Sequence, residues 1–159
     1  MSGVALEIVE TGLSEALLKI EGIADAPRQE LMEGIGRLVQ EQTRRRIEEE
    51  KTSPAGAAWK PNRAGTSTLY QSGALSRSID YIAGDDSVQV GSGLVYARPH
   101  QEGATIRPKN GKALVFRAGN RLVFARSVTL PARTFVGLSA DNQNDVVEAA
   151  EDWLERLVQ

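Results

Sequence analysis

The stretch from Tyr96 to Gly137 constrains this chain more than any other, because it carries the only histidine and the longest apolar runs between the helical segments. It opens Tyr96-Ala97-Arg98-Pro99-His100-Gln101-Glu102-Gly103 and closes Pro131-Ala132-Arg133-Thr134-Phe135-Val136-Gly137. Between these lie two strand-like segments, 113–116 and 122–128, joined through Gly119-Asn120, a pair suited to the positive φ of a tight hairpin turn. Leu114, Val115 and Phe116 then face Leu122, Val123 and Phe124, and runs this continuous predict burial on both faces. For a hairpin, a neighbouring subunit can supply the second cover. Pro131 cannot donate to a central ladder, so the strand should end there. The two segments with the clearest helical periodicity lie outside this stretch, one on each side. The stretch is therefore expected to be the sheet-bearing centre on which they pack.

Pro27 opens the first of those helices, since its fixed φ suits a first turn. Leu31, Ile35, Leu38 and Val39 form an apolar stripe at helical spacing. The helix is expected to run to about Glu50, a rod of roughly 35 Å. Gly34 and Gly36 weaken it by ~1 kcal/mol each relative to alanine, so a close packing partner is expected there. Arg44, Arg45 and Arg46 are consecutive and fan over ~200° of the helix. Four-residue spacing pairs Glu41 with Arg45, Arg44 with Glu48, Arg45 with Glu49 and Arg46 with Glu50. Two readings stand: a solvated, self-paired helix end, or an arginine surface facing nucleic acid or an acidic partner. The last helix spans about 142–158, with Val146, Val147, Ala150, Trp153, Leu154 and Leu157 as its stripe. Asp141, Asp145 and Glu148 complement the positive end of its dipole and Arg156 the negative end.

The remaining segments are shorter. Residues 4–9 alternate as a strand would, and 14–20 read as a short helix. Segment 51–68 is a long, flexible loop rich in Ser, Pro, Gly, Ala and Thr, and loops of that length are commonly functional. Its Trp59, followed by Lys60-Pro61-Asn62-Arg63, either tucks onto its own domain or meets a partner. Residues 69–79 read as a short helix with Leu69, Leu75 and Ile79 on one face. Segments 78–83 and 87–91 form a hairpin around Gly84-Asp85-Asp86, with Tyr81 and Ala83 opposite Val88 and Val90. The expected fold is α+β in a single domain, 1–159. An antiparallel sheet of two hairpins is flanked by a long helix in the N-terminal half and an amphipathic C-terminal helix, and residues 1–24 are left without firm assignment.

Composition narrows the chemistry. A chain of 159 residues buries roughly 70% of its unfolded surface, enough to fold without metal or crosslink. The absence of cysteine excludes thiol catalysis and disulfides. With one histidine, a His-rich zinc site would need ligands from other subunits. Gly91-Ser92-Gly93 lacks the spacing of a dinucleotide fingerprint and no Gly-Lys-Ser/Thr follows, so it reads as a strand-ending turn and no cofactor is expected. His100 has no acid at helical metal spacing and reads as a turn residue bonded to backbone. Together these features point away from an enzyme. A net charge of −2 provides no overall basic field for nucleic acid or membrane. Arg107, Lys109, Lys112, Arg117, Arg121 and Arg126 nevertheless decorate the 112–128 hairpin and its approach. They either deter edge-to-edge aggregation or line a channel holding DNA without sequence preference. No apolar run reaches the ~20 residues of a membrane span, and the N-terminus lacks a signal-like pattern, so the protein is expected to be made and kept in the cytoplasm unless it leaves as part of a particle.

Four separated stretches resemble one family. Ser53-Pro54-Ala55-Gly56-Ala57-Ala58-Trp59-Lys60-Pro61 resembles the SPxGxxWxP-like segment of phage virion morphogenesis, or tail completion, proteins. Leu69-Tyr70-Gln71-Ser72-Gly73-Ala74-Leu75-Ser76-Arg77-Ser78 is similar to their LxxSGxLxxS helix. Segment 96–103 resembles their YAxxHQxG turn. Pro131-Ala132-Arg133-Thr134-Phe135-Val136-Gly137-Leu138 resembles PARxFxGL, with threonine where proline is common. The resemblance runs from Pro27 to Val158 and leaves the first 24 residues out. It implies a non-enzymatic part of a tailed phage or prophage virion, acting where tail is completed and joined to head. It also implies a homo-oligomeric ring, commonly a hexamer, whose partners are the tail tube and neck or connector proteins. Tyr96, His100, Gln101, Gly103, Pro131, Arg133, Phe135 and Gly137 are the structural motif residues. Trp59, Lys60, Arg63, Leu114, Phe116, Val123 and Phe124 are the expected partner surface. The alternative is a nucleic-acid-binding module using Arg44, Arg45, Arg46 and the hairpin cations.

Overall fold

The computed structural model describes residues 4–9, 27–63, 65–118 and 120–158. The helix expected at 14–20 lies outside them. Helix α1 (Arg28–Arg45) continues through a π-helical turn, Arg46–Glu50, and stops where Lys51 adopts a left-handed conformation at φ 57°. Leu31, Ile35 and Val39 of its stripe are buried and Leu38 packs beside them.

Strand β1 (Val4–Val9), α2 (Ala74–Ser78), β2 (Asp80–Ala83) and β3 (Ser87–Ser92) complete the central layer. The strand order is β1-β3-β2, antiparallel throughout, with Tyr81 opposite Val90 and Ala83 opposite Val88. Alternation in β3 buries Val88 and Val90 against α1. Gly36 lets the helix approach: a Cβ there would lie 2.7 Å from Tyr81 Cγ. Gly34, by contrast, has open space around it, so the expected close partner exists for one glycine only.

Helix α3 (Ala97–Glu102) leads into strands β4 (Ala104–Ile106), β5 (Leu114–Ala118), β6 (Arg121–Ala125) and β7 (Val128–Leu130). Strand β4 pairs with β7 and β5 with β6, as separate two-stranded ribbons. The single strand expected over 122–128 therefore divides at Arg126-Ser127, and each part takes a different partner. Pro131 follows β7 directly and ends it.

Helix α4 (Ala140–Val158) lies antiparallel to α1: Gln42 Nε2 donates to Asp145 Oδ2 at 3.1 Å, and Arg46 reaches Asn142 a turn earlier. Val146, Ala150 and Trp153 enter the shared core, whereas Val147 remains exposed.

The α+β class with antiparallel strands stands, distributed over three small sheets. The centre is elsewhere than expected. The helix packs on β2 and β3, within 80–92, because two-stranded ribbons are too narrow to cover it. Nor does 69–79 form one helix. Leu69 sits at φ 60°, a left-handed value, so the helix starts only after Gly73.

Candidate functional site

The four motif-bearing stretches meet around the C-terminal end of α1. Arg46 continues the buried α-helical stripe of Val39 and Thr43 and so points inward, and the π turn that starts there is closed by Lys51 N donating to Arg46 O at 2.9 Å. The Arg46 guanidinium is only 1% exposed. It donates to Phe135 O at 2.7 Å, to Gly137 O at 3.0 Å and to Asn142 Oδ1. Burial lowers its pKa from the ordinary arginine value, but a guanidinium stays protonated in proteins. One buried charge thus holds three acceptors on two segments.

The loop after the helix folds back on this anchor. Thr52 bridges to Ala58, and Trp59 N donates to Lys51 O at 3.0 Å. The Trp59 indole is buried and donates to Thr134 O at 3.0 Å. Pro54 presses on Gly137, where a Cβ would come within 2.6 Å of its ring. Arg133 closes the other side, donating through Nε to Lys60 O at 2.7 Å and through its terminal nitrogen to Pro61 O at 3.1 Å. Helix α3 supplies the last clamp. Gln101 Oε1 accepts from Phe135 N at 2.9 Å and Val136 N at 3.0 Å, while Nε2 donates to Val136 O at 3.1 Å. Gly103, at φ 78°, turns the chain so tightly that a Cβ would sit 3.0 Å from Leu130 O and Ala132 N. Phe135 is fully buried at the middle.

His100 has its backbone carbonyl bonded to Arg133 N at 2.8 Å and its ring edge-on to Tyr96, with centroids 6.0 Å apart. Burial first, and then Arg133, lower its pKa below the ordinary imidazole value. Its Nδ1 is buried without a partner among the described residues. Glu102, two residues on, pairs outward with Arg98 at 3.6 Å. Among the described residues no group of three His, Cys, Asp or Glu is placed to hold a metal ion.

Beside the anchor lies a pocket of about 760 Å³ between segment 60–75, α3 and the two ribbons. Leu69, Leu75, Ile106, Leu114, Phe116 and Leu130 give it an apolar lining. Lys60, Arg63 and Arg117 stand exposed at its edge, and among the described residues no carboxylate lines it.

The expected partner residues are thus scattered. Lys60 and Arg63 are exposed and Trp59 faces its own core. On the β5–β6 ribbon, Leu114, Phe116 and Val123 occupy the half-buried face, and Phe124 shares the outer face with Val115 and Leu122. Those three are 66%, 57% and 57% exposed. Burial on both faces is therefore not achieved within one chain.

The arginine surface also dissolves. Arg46 is internal. Arg44 donates to Ser76 O and Ile79 O at 3.2 and 3.1 Å and pairs with Glu41, and Arg45 pairs with Glu50 at 3.3 Å. A five-residue pair replaces the four-residue ones because the π turn widens the helix. Arg46 and Gln42 were missed as anchors. The signal for Arg46 was its place three and seven residues beyond Thr43 and Val39, on the continuing buried stripe.

The phage virion morphogenesis family model matches residues 4–155. The chain belongs to that family. The phage virion morphogenesis match reaches back past Pro27 into the first 24 residues, which the motif resemblance leaves out, and so includes β1, the strand paired with β3. Membership makes this a protein of phage virion assembly, associated with the virion. No curated protein and no solved structure matches the chain. Among the described residues no helix is long and apolar enough to cross a membrane.

Proposed function

We propose that this virion morphogenesis protein completes the phage tail and joins it to the head as a homo-oligomeric ring, by fitting rather than by catalysis. The observation that carries this reading is the outer face of the β5–β6 ribbon. Val115, Leu122 and Phe124 form an open apolar surface on a ribbon with both edges unpaired among the described residues. Such an edge and face are a liability unless another chain covers them. A neighbouring copy is the cover that a ring supplies. The exposed edge of the loop at Lys60 and Arg63 serves further contacts with tail tube or neck components. The exposed cations Arg107, Lys109, Lys112, Arg121 and Arg126 support a salt-sensitive, non-specific hold on DNA passing through the ring.

Sedimentation of the wild-type protein and of a Phe124→Asp variant tests the ring. The wild type should associate and the variant, equally folded, should sediment as a monomer. A wild type that remains monomeric at high concentration and does not bind tails overturns the ring. Particles lacking the protein test the role itself. Full heads separate from finished tails support joining, overlong tails support completion, and normal virions overturn both.

A further inference from the structure

The pocket and helix α4 carry opposite halves of one contact. The pocket has an apolar floor and a cationic edge of Lys60, Arg63 and Arg117, none of which makes an ion pair among the described residues. Helix α4 bears six carboxylates, at Asp141, Asp145, Glu148, Glu151, Asp152 and Glu155, against the one cation Arg156. At 100° per residue, Val147, Glu151, Glu155 and Val158 fall on one stripe. All four are exposed, Val158 at 65%, and neither glutamate makes an ion pair among the described residues. Apolar ends with carboxylates between them complement an apolar floor with cations at its edge.

The two features cannot meet within one chain. The N-terminal end of α4 is pinned to Arg46 at the anchor, beside the pocket. From there the helix runs back along α1, so Glu155 lies about 20 Å farther along its axis than Asn142. The stripe begins about 8 Å along the axis from Asn142, at Val147, and leads away from the pocket to Glu155 and Val158. Complementary surfaces on separate parts of one chain produce head-to-tail association, which closes into a ring when the rotation allows.

We infer that the pocket receives the Val147–Glu151–Glu155–Val158 stripe of α4 from a second copy of this chain. The inference rests on the ring reading above, adds a second contact between copies to that of the ribbon's outer face, and gives Lys60 and Arg63 to the neighbouring copy in place of the tail tube or neck. Charge pairing across the edge sets the register and speeds encounter, and the apolar ends seat in the floor.

Charge reversal tests it in two variants, Lys60→Glu/Arg117→Glu and Glu151→Lys/Glu155→Lys. All four positions are exposed, so both variants should keep the wild-type circular dichroism and melting temperature. Each alone should self-associate more weakly than wild type, on the order of tenfold or more. Mixed in equal amounts they should associate again, because each offers the half that the other lacks. Unchanged self-association of either variant, or failure of the mixture to recover, overturns the pocket–helix contact while leaving the ring intact. Variants that self-associate normally but no longer bind tails also overturn it and assign the pocket to a tail component. A wild type that does not associate removes the ring reading itself.

Discussion

At the scale of single residues, buried polar side chains hold this protein's motif segments together. Arg46, Gln101 and Arg133 bond mainly to backbone carbonyls and amides, so each fixes chain path rather than pairing charges. Replacing Arg46 with methionine keeps volume but leaves the carbonyls of Phe135 and Gly137 short of a donor. The expected loss is about 3 kcal/mol, from the worth of charged hydrogen bonds and the cost of unmet buried acceptors. A urea midpoint equal to wild type would show that the anchor carries no weight. His100 adds a pH dependence. Its native pKa lies below the ordinary 6.5, through burial and then Arg133. Between those two values the unfolded chain binds more protons than the native one. Stability is therefore lost as pH falls from 6.5 toward the native value, and the loss levels off below it. Unfolding free energies between about pH 7 and about pH 5 should show a shallower decline for His100→Gln than for wild type. Parallel declines would remove the imidazole from the account.

Among the elements, α1 offers the sharpest contrast, because two glycines two residues apart should respond with opposite signs. Gly34→Ala meets open space and gains helix propensity, so it should stabilise by about 1 kcal/mol. Gly36→Ala drives a methyl into the Tyr81 ring and should destabilise by about 1–3 kcal/mol, as overpacking does. Thermal unfolding of the two variants decides it, and equal shifts would mean that Tyr81 yields freely. Periodicity alone does not distinguish these glycines, since both fall inside one helical stretch. The same limit explains what else was legible. Apolar spacing revealed α1, α4 and the Tyr81–Val90 register, because those signals are local. It did not reveal that β3 would sit between β2 and β1, since that pairing crosses some eighty residues of chain. Nor could side-chain spacing show the left-handed Leu69, which shortens α2, or the π turn, which re-pairs Arg45 with Glu50. The Pro131–Gly137 segment was legible as a motif. Its partners, Arg46 and the Gln101 amide, became visible only once the chain was folded around it.

For the whole molecule, the fold divides into a tied body and a loosely held ribbon. Arg46, Trp59, Gln101 and Arg133 connect α1, α3, α4, the 51–63 loop and the Pro131–Gly137 segment into one unit. Deleting the loop would remove Trp59 from the core and the carbonyls that cap Arg133, so point substitutions at its exposed edge are the better probe of docking. The β5–β6 ribbon makes its close contacts chiefly within itself. A two-stranded ribbon with one open face is marginally stable in water. Its amides should therefore open locally at far lower free energy than those of β3. Hydrogen exchange of dilute, unassembled protein should show rapid exchange over Leu114–Ala118 and Arg121–Ala125 while β3 stays protected. Assembly should slow the ribbon selectively, because a neighbour then covers Val115, Leu122 and Phe124. Phe124→Asp should leave both the body's protection and the ribbon's rapid exchange unchanged at any concentration. Ribbon protection equal to that of β3 in the monomer would show that one chain already completes this surface, and would remove the physical reason for a neighbour there.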